Sequence, residues 1–308
     1  MKLSLFRFAA VWMIGAGLLA GCRSYKSKEN QLSDTPDRGT IHISVDESFR
    51  PVIDEQVKVY ESNHPGTSIV VDYKPEAECL KDLLVDSVRM IIATRRYTPN
   101  EKKLVSDSLK VGLYSMVLAR DAVALIMNPS VAEDSLNMTE VKEILQGKFR
   151  KNLIPVFDGV KATSTVRFII DSVLRGDTLT RKATAGRTSE GVIDYIAGTE
   201  NAIGFIGYSW VGDKDDTLQQ QFLKKVKIIP LKSTYSEGGV VKPGPWSIST
   251  GSYPLVRDLV YILKEKHHGL GNGFADFMSG QRGQLIFRRS YLVPAQLDFS
   301  VRMARLKE

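Results

Sequence analysis

The chain has 308 residues, 43% of them hydrophobic and 25% charged, with a formal net charge of +7. That balance belongs to a protein that folds a core in water, and beyond the N-terminal segment no stretch offers the roughly 18 uncharged apolar positions that a membrane-spanning helix needs. The basic residues are scattered, neither gathered on one helix nor interleaved with aromatics, which argues against nucleic acid as a partner.

Lys2 and Arg7 flank the start of an apolar run, Phe8 to Leu19, that ends in Leu19-Ala20-Gly21-Cys22. A basic start, a short apolar stretch and small residues before a cut make residues 1–21 a secretory signal. Small residues leading directly into a cysteine resemble the lipobox of bacterial lipoproteins. There the thiol, here that of Cys22, takes a diacylglycerol thioether, and the acyl chains, palmitate among them, hold the protein on a bilayer. The plain alternative is an ordinary signal with a chance cysteine. Loss of Lys2 and Arg7 with the signal takes the net charge from +7 to +5, a balance compatible with an anionic ligand or a membrane surface. Residues 22–38 are polar and lack apolar periodicity, so they read as a disordered tether. With Cys22 lipidated, Cys79 stands alone and no disulfide framework is expected.

Folding is expected to start near Gly39. Thr40 to Val45 alternates as a strand, and Phe49 to Glu61 sets Val52, Ile53, Val57 and Tyr60 on one helical face, stopped by His64-Pro65-Gly66. Ser68 to Tyr73 and Val88 to Thr94 read as strands, with a short helix over Ala77 to Leu84 between them. Strand, helix, strand, helix, strand is the arithmetic of a parallel α/β sheet. Leu113 to Met127, apolar except around Ala119-Arg120-Asp121, reads as two buried strands where the chain passes into a second lobe. Thr139 is placed as the cap of a helix closed by Gly147. Leu153 to Phe157 reads as a strand, Thr163 to Leu174 as a helix, and Thr188 or Ser189 as the cap of a helix ending at Gly198. Ala202 to Val211 and Lys225 to Leu231 follow as strands. Tyr253 to Leu263 fits helix or strand on periodicity alone. Gly269 to Gly273 reads as a loop, with terminal helices over Gly273 to Met278 and Gln281 to Arg288.

Several stretches, in order, resemble one family. Glu47-Ser48-Phe49-Arg50-Pro51 at the first strand-to-helix turn is similar to the hydroxyl–Phe–Pro turn of PstS-like phosphate-binding proteins. Asn128-Pro129 and Met138 to Lys148 resemble the stretch after their crossover. Thr188 to Ile196, running into Ala202-Ile203-Gly204-Phe205-Ile206-Gly207-Tyr208, resembles a second block. Tyr253 to Arg257, Ser279 to Gln284 and Tyr291 to Pro294 resemble the C-terminal signature. The resemblance spans about residues 40 to 296 and implies an α/β fold of the two-lobe periplasmic-binding-protein type (type II), with mixed sheets flanked by helices and a two-strand hinge. It also implies that Tyr253 onward is strand. The expected division is 1–21 signal, 22–38 tether, 39–118 with 240–308 as one lobe, and 119–239 as the other.

Function follows from the same resemblance: an extracytoplasmic lipoprotein of the cell envelope, monomeric, capturing an inorganic oxyanion such as phosphate for an ABC transporter permease, with no cofactor. The alternative is the same fold without a transport role, as a ligand sensor or surface interaction lipoprotein. Helix starts with unpaired N–H groups and short hydroxyl residues can receive an oxyanion. Three turns are candidates. Ser48 and Phe49 form the first, or Ser48 is a plain helix cap. Lys161, Thr163, Ser164 and Thr165 form the second, or a hydroxyl-rich cap. Thr94 and Arg95 form the third, or Arg95 and Arg96 are a solvated pair. The family expects an aspartate where Arg95 stands, to accept the proton of hydrogen phosphate, and an arginine cannot accept. Glu76 or Glu78 therefore either pairs with Arg95 and restores the acceptor, or the pocket has left phosphate behind. With Arg95 in the cleft, sulfate is expected to be rejected less sharply than in the family. An enzyme is disfavoured: there is no Gly-x-Ser-x-Gly elbow or His-Glu-x-x-His, and His42, His64, His267 and His268 lack metal-ligand spacing.

Overall fold

The computed structural model describes residues 34–159, 163–235, 237 and 239–296. Cys22, the signal and Lys161 fall outside the described residues. The first strand, β1 (Arg38–Asp46), runs into a single 3-10 turn and then α1 (Arg50–Asn63), with Pro51 in its first turn and Val52, Ile53, Gln56 and Tyr60 buried. Next come β2 (Gly66–Lys74), α2 (Glu76–Asp82), β3 (Val88–Ala93) and α3 (Pro99–Leu109). The chain continues through β4 (Leu113–Met127), α4 (Met138–Gln146), β5 (Ile154–Phe157) and α5 (Ser164–Ile169), which widens into a π turn to Leu174. Then follow β6 (Thr184–Ala185), α6 (Ser189–Ala197), β7 (Ala202–Gly207) and α7 (Thr217–Lys225). The last part holds β8 (Lys227–Ile229), β9 (Leu231–Lys232), β10 (Val240–Val241) and α8 (Pro245–Ser249). It closes with β11 (Val256–Lys264), α9 (Leu270–Ser279), α10 (Gln281–Arg289) and β12 (Val293–Pro294).

Strand order is β2-β1-β3-β11-β4-β7-β5-β6. β1 pairs parallel with β2 and β3, as β5 does with β6 and β7, while β11 and β4 are antiparallel to their neighbours. This is a mixed sheet flanked by helices. It divides at β4: Leu113 to Ala122 pair with β11, and Val123 to Met127 pair with β7. Two buried apolar clusters correspond to the halves. One holds Ile43, Val45, Phe49, Ile53, Ile92, Tyr261, Phe274 and Phe287. The other holds Ile126, Phe157, Ile169, Val192, Phe205 and Trp210. Each large side chain fully buried contributes about 1.5–3 kcal/mol, so each lobe has its own driving force. The lobes meet where β4 and the start of β11 lie side by side, Val123 N–H donating to Leu255 C=O at 2.8 Å.

Several expectations are corrected. Leu113–Met127 is one strand of 15 residues, because Arg120 is exposed beside Asp258 (3.8 Å) while Asp121 finds a buried partner, so neither charge interrupts the ladder. Residues 34–38 are fixed at the fold's edge. Asp34 is buried and accepts from Arg89 Nη2 and Leu270 N, both at 2.8 Å, and Pro36 C=O accepts from Tyr60 Oη at 2.6 Å. α9 begins inside the glycine-rich stretch expected as loop, because Asp34 and Glu265 accept the N–H groups of Leu270, Gly271 and Asn272. Asn137, with Glu140 answering as a capping box, caps α4 in place of Thr139. Ile248, Tyr253 and Leu255 pack into the second lobe's cluster, so the chain returns to the first lobe at β11 and not at residue 240. Tyr253-Pro254-Leu255 precedes that strand, and Ala202 to Val211 is strand only to Gly207 before a 3-10 turn at Tyr208–Trp210. Among the described residues no helix is long and apolar enough to cross a membrane.

Candidate functional site

β1 ends in Asp46, whose Oδ1 accepts the Ser48 N–H at 3.0 Å and fixes the turn into α1. That turn aims Ser48, fully buried, at the second lobe. Its Oγ donates to Asp158 Oδ2 at 3.2 Å and lies 3.5 Å from Ser164 Oγ. Its carbonyl accepts from Ser209 Oγ (3.1 Å) and Trp210 Nε1 (2.9 Å). Beside it the Glu47 carboxylate accepts the Ser189 hydroxyl at 3.0 Å. From the opposite side, β5 ends before Asp158, and Thr163 caps α5 by accepting the Val166 N–H. Thr163, Ser164 and Thr165 are all buried.

The cation of this cleft is Arg257, which the sequence reading passes over as a site residue. It stands directly across from Asp121 in the β11–β4 ladder at the hinge. Its Nε donates to Asp121 Oδ2 at 3.0 Å, and Nη2 lies 2.9 Å from the same oxygen. Nη1 donates to Ser164 Oγ at 3.0 Å and Thr165 Oγ1 at 3.3 Å, and the guanidinium lies over the Phe49 ring at 5.0 Å. Gly207 makes this possible: a Cβ there would come within 2.9 Å of Arg257 Nη2 and 3.4 Å of Ser48 C=O. A signal existed in the sequence, since Arg120-Asp121 and Arg257-Asp258 are charge pairs inside long apolar strands, where alternation buries one member of each, and a buried charge needs a partner.

A second charged group crosses the cleft nearer its rim. Glu76, at the start of α2, accepts the Thr94 N–H at 2.8 Å and hydroxyl at 2.7 Å. Arg167 of α5 reaches over from the second lobe, with Nε donating to Glu76 Oε2 at 2.5 Å and Nη2 to Thr94 Oγ1 at 2.7 Å. Burial works to raise the Glu76 carboxyl, but Arg167 and the two Thr94 donors outweigh it and hold the group below its ordinary range.

Arg95 does not join them, which corrects the expectation for this loop. Its guanidinium forks onto Glu101 at 2.9 and 3.2 Å, where Glu101 and Thr98 form the capping box of α3. The partner of Glu76 is therefore Arg167 and not Arg95, and Glu78 is exposed. Weakened sulfate rejection, which required Arg95 in the cleft, loses its basis. The structure thus brings Ser48, Phe49, Glu76, Thr94, Thr163, Ser164 and Thr165 to one cleft and adds Asp46, Asp121, Asp158, Arg167 and Arg257.

The cleft is rich in carboxylates. Burial pushes the Asp46 carboxyl up to about 7, with the charges of Glu76 and Asp158 adding to the rise and Arg257 and the Ser164 hydroxyl opposing it. Burial likewise raises Asp158, against Thr163, Arg257 and Ser48, and raises Asp121 against Arg257. Among the described residues no group of His, Cys, Asp and Glu has the arrangement to hold a metal ion. Two lobes bridged by hydroxyls, with a buried guanidinium at the hinge, can enclose a small polar solute away from water, where each hydrogen bond gains strength.

The family described as "PBP superfamily domain" matches residues 30–282. No curated protein matches the sequence. Among solved structures, a candidate phosphate ABC transporter substrate-binding protein from Clostridium perfringens, with bound phosphate, superposes with a TM-score of 0.70 at 21% identity, covering 83% of this chain and 100% of its own. An ABC-type phosphate transport receptor from Vibrio cholerae gives 0.63 at 16% identity, covering 83% and 100%. A phosphate-binding protein from Stenotrophomonas maltophilia gives 0.62 at 11% identity, covering 83% and 90%. At these identities the likeness is one of fold.

Proposed function

The chain belongs to the PBP superfamily, and from that premise we propose that it is an extracytoplasmic lipoprotein, held to a membrane through Cys22, that captures an inorganic oxyanion, phosphate, for an ABC importer. It acts as a capture protein and not as an enzyme. The observation that carries the reading is Arg257: a guanidinium buried at the hinge, shared between Asp121 and the hydroxyls of Ser164 and Thr165, with Ser48 of the first lobe meeting Ser164 of the second. Buried cations among hydroxyl donors are the chemistry of oxyanion recognition. The phosphate-binding solved structures of like fold point the same way.

A thermal-shift screen of phosphate, arsenate, sulfate and molybdate tests it. Ligand at a hundred times its Kd stabilises the folded state by about 2.7 kcal/mol, which for a chain of this size raises Tm by roughly 5 °C or more. Absence of a shift with every oxyanion at millimolar concentration would reject the capture reading. It would favour a second one, the same fold acting as a ligand sensor or surface interaction lipoprotein. One observation favours that alternative: the lobes are already joined by their own side chains, Glu76 to Arg167 and Glu47 to Ser189. For the anchor, Cys22→Ser is expected to move the protein from the membrane to the soluble fraction, and a mutant that still sediments with membranes would reject lipidation as the attachment.

A further inference from the structure

A separate cavity lies in the second lobe. Its volume is about 460 Å3, in the range of small-molecule sites, and Val211, Leu223, Val226, Ile229 and Pro230 form its apolar wall. Val211, Val226 and Ile229 belong to that lobe's buried cluster, so the recess opens off the core. None of the residues assigned to the hinge cleft lines it. The 3-10 turn after β7 serves both places with different residues: Ser209 and Trp210 donate to the Ser48 carbonyl, while Tyr208 lines the cavity.

Tyr208 is 5% exposed, yet its hydroxyl makes no hydrogen bond among the described residues. A buried tyrosine hydroxyl ordinarily has a partner. The ring lies flat against Gly212, where a Cβ would come within 2.8 Å of Cε1. Its hydroxyl is 3.9 Å from where a Cβ on Gly244 would stand, two residues beyond Lys242. Burial, with Tyr291 and Asp121 adding, pushes this hydroxyl up to about 12, so it stays a donor at any ordinary pH.

Two lysines stand at the rim. Lys214 precedes α7 and Lys242 follows β10; both are exposed, and neither makes an ion pair among the described residues. Their backbones are held: the Lys214 C=O accepts from Gln220 Nε2 at 2.8 Å and the Lys242 C=O from Ser247 Oγ at 2.7 Å. Most other charges of the lining are already matched, since Lys227 donates to the Val131 carbonyl and Glu133 pairs with Lys151. Asp134 is exposed, and Asp213 and Asp215 line a different groove with Arg288 and Arg289. Two ammonium groups and a buried O–H donor thus face one unmatched carboxylate.

We propose that this cavity is a second binding site, for a small amphipathic anion whose apolar body lies on the Val211, Val226 and Ile229 wall and whose anionic head takes the Tyr208 hydroxyl and the ammonium groups of Lys214 and Lys242. The body gains by leaving water, and the head gains charge-assisted hydrogen bonds beside an apolar surface. The inference does not rest on the oxyanion reading of the hinge cleft, and inorganic phosphate, with no apolar body, is not the ligand of this cavity.

Calorimetric titration of the mature chain with octanoate, and with octan-1-ol for comparison, tests it. The expected result is one octanoate per chain, bound at least about tenfold more tightly than the alcohol, which fills the recess but brings no charge. Saturating inorganic phosphate should leave that binding in place. Tyr208→Phe keeps the ring on Gly212 and should weaken octanoate about tenfold. Lys242→Glu, an exposed change that leaves the core intact, should weaken it about fivefold while phosphate binding stays as in the wild type. No saturable octanoate binding at millimolar concentration, equal affinity for the acid and the alcohol, displacement of octanoate by phosphate, or an affinity unchanged in either variant would overturn the inference. The phosphate titrations judge the hinge cleft separately.

Discussion

Arg257→Gln is expected to abolish detectable phosphate binding and to lower the melting temperature by roughly 10 °C. The stability loss follows from Asp121. Its carboxylate is fully buried and its partner across the β11–β4 ladder is this guanidinium, so truncation leaves a charge without compensation. Breaking a buried pair by removing one member costs about 3–5 kcal/mol, and for a chain of this length each kcal/mol is worth about 2–4 °C. Ser164 and Thr165 also lose the donor they share, and the Phe49 ring loses the cation above it. Differential scanning calorimetry reads the effect. The double variant Asp121→Asn with Arg257→Gln should recover most of the stability but none of the binding, because the stranded charge is gone while the missing cation is not. Equal losses in the single and double variants would show that the pair is not coupled as described.

Arg167→Gln is expected to weaken phosphate binding about tenfold, chiefly through faster dissociation. Arg167 is the charged side chain that reaches from α5 to Glu76 on the other lobe, and its Nη2 also donates to Thr94. A hydrogen bond to a charged group contributes about 1.5–3 kcal/mol. The Arg167 side chain keeps 29% of its surface exposed, so the lower end of that range applies, and 1.5 kcal/mol is about tenfold in affinity. Glu76 keeps its two Thr94 donors in the variant, so the first lobe is left intact and the change falls on closure. In small-angle scattering without ligand the variant should be more open than the wild type. Identical scattering and identical dissociation rates would mean that this ion pair does not hold the lobes together.

Much of the fold was legible because the apolar patterns that define it are local. β1 alternates Ile41, Ile43 and Val45 with polar residues, β3 and β7 are dense apolar runs, and α1 carries its buried face at helical spacing. What escaped reading depended on partners distant in sequence or lacked an apolar face. α3 buries no residue, so Pro99 to Leu109 offers no stripe to see, and only its start is marked locally, by the Thr98–Glu101 capping box and Pro99 in the first turn. Asp34 is tied down by Arg89 and by the start of α9, and nothing in residues 22–38 announces that. The same contrast holds at the cleft. Ser48, Phe49 and Thr163 to Thr165 could be picked out because each stands at a strand-to-helix turn. Arg95 follows Thr94 directly and so reads as a cleft residue, but Glu101, six residues on, takes its guanidinium away from the cleft. Asp121 and Arg257 lie far apart in the chain and are joined by strand register alone.

Equilibrium dialysis of the mature chain against labelled phosphate near neutral pH, with and without a large excess of sulfate, tests the central claim most directly. Retention of one phosphate per chain, undisturbed by the sulfate and lost in Arg257→Gln, is the predicted result. No retention of phosphate, or its displacement by the excess sulfate, would contradict the assignment of this hinge cleft as a phosphate site.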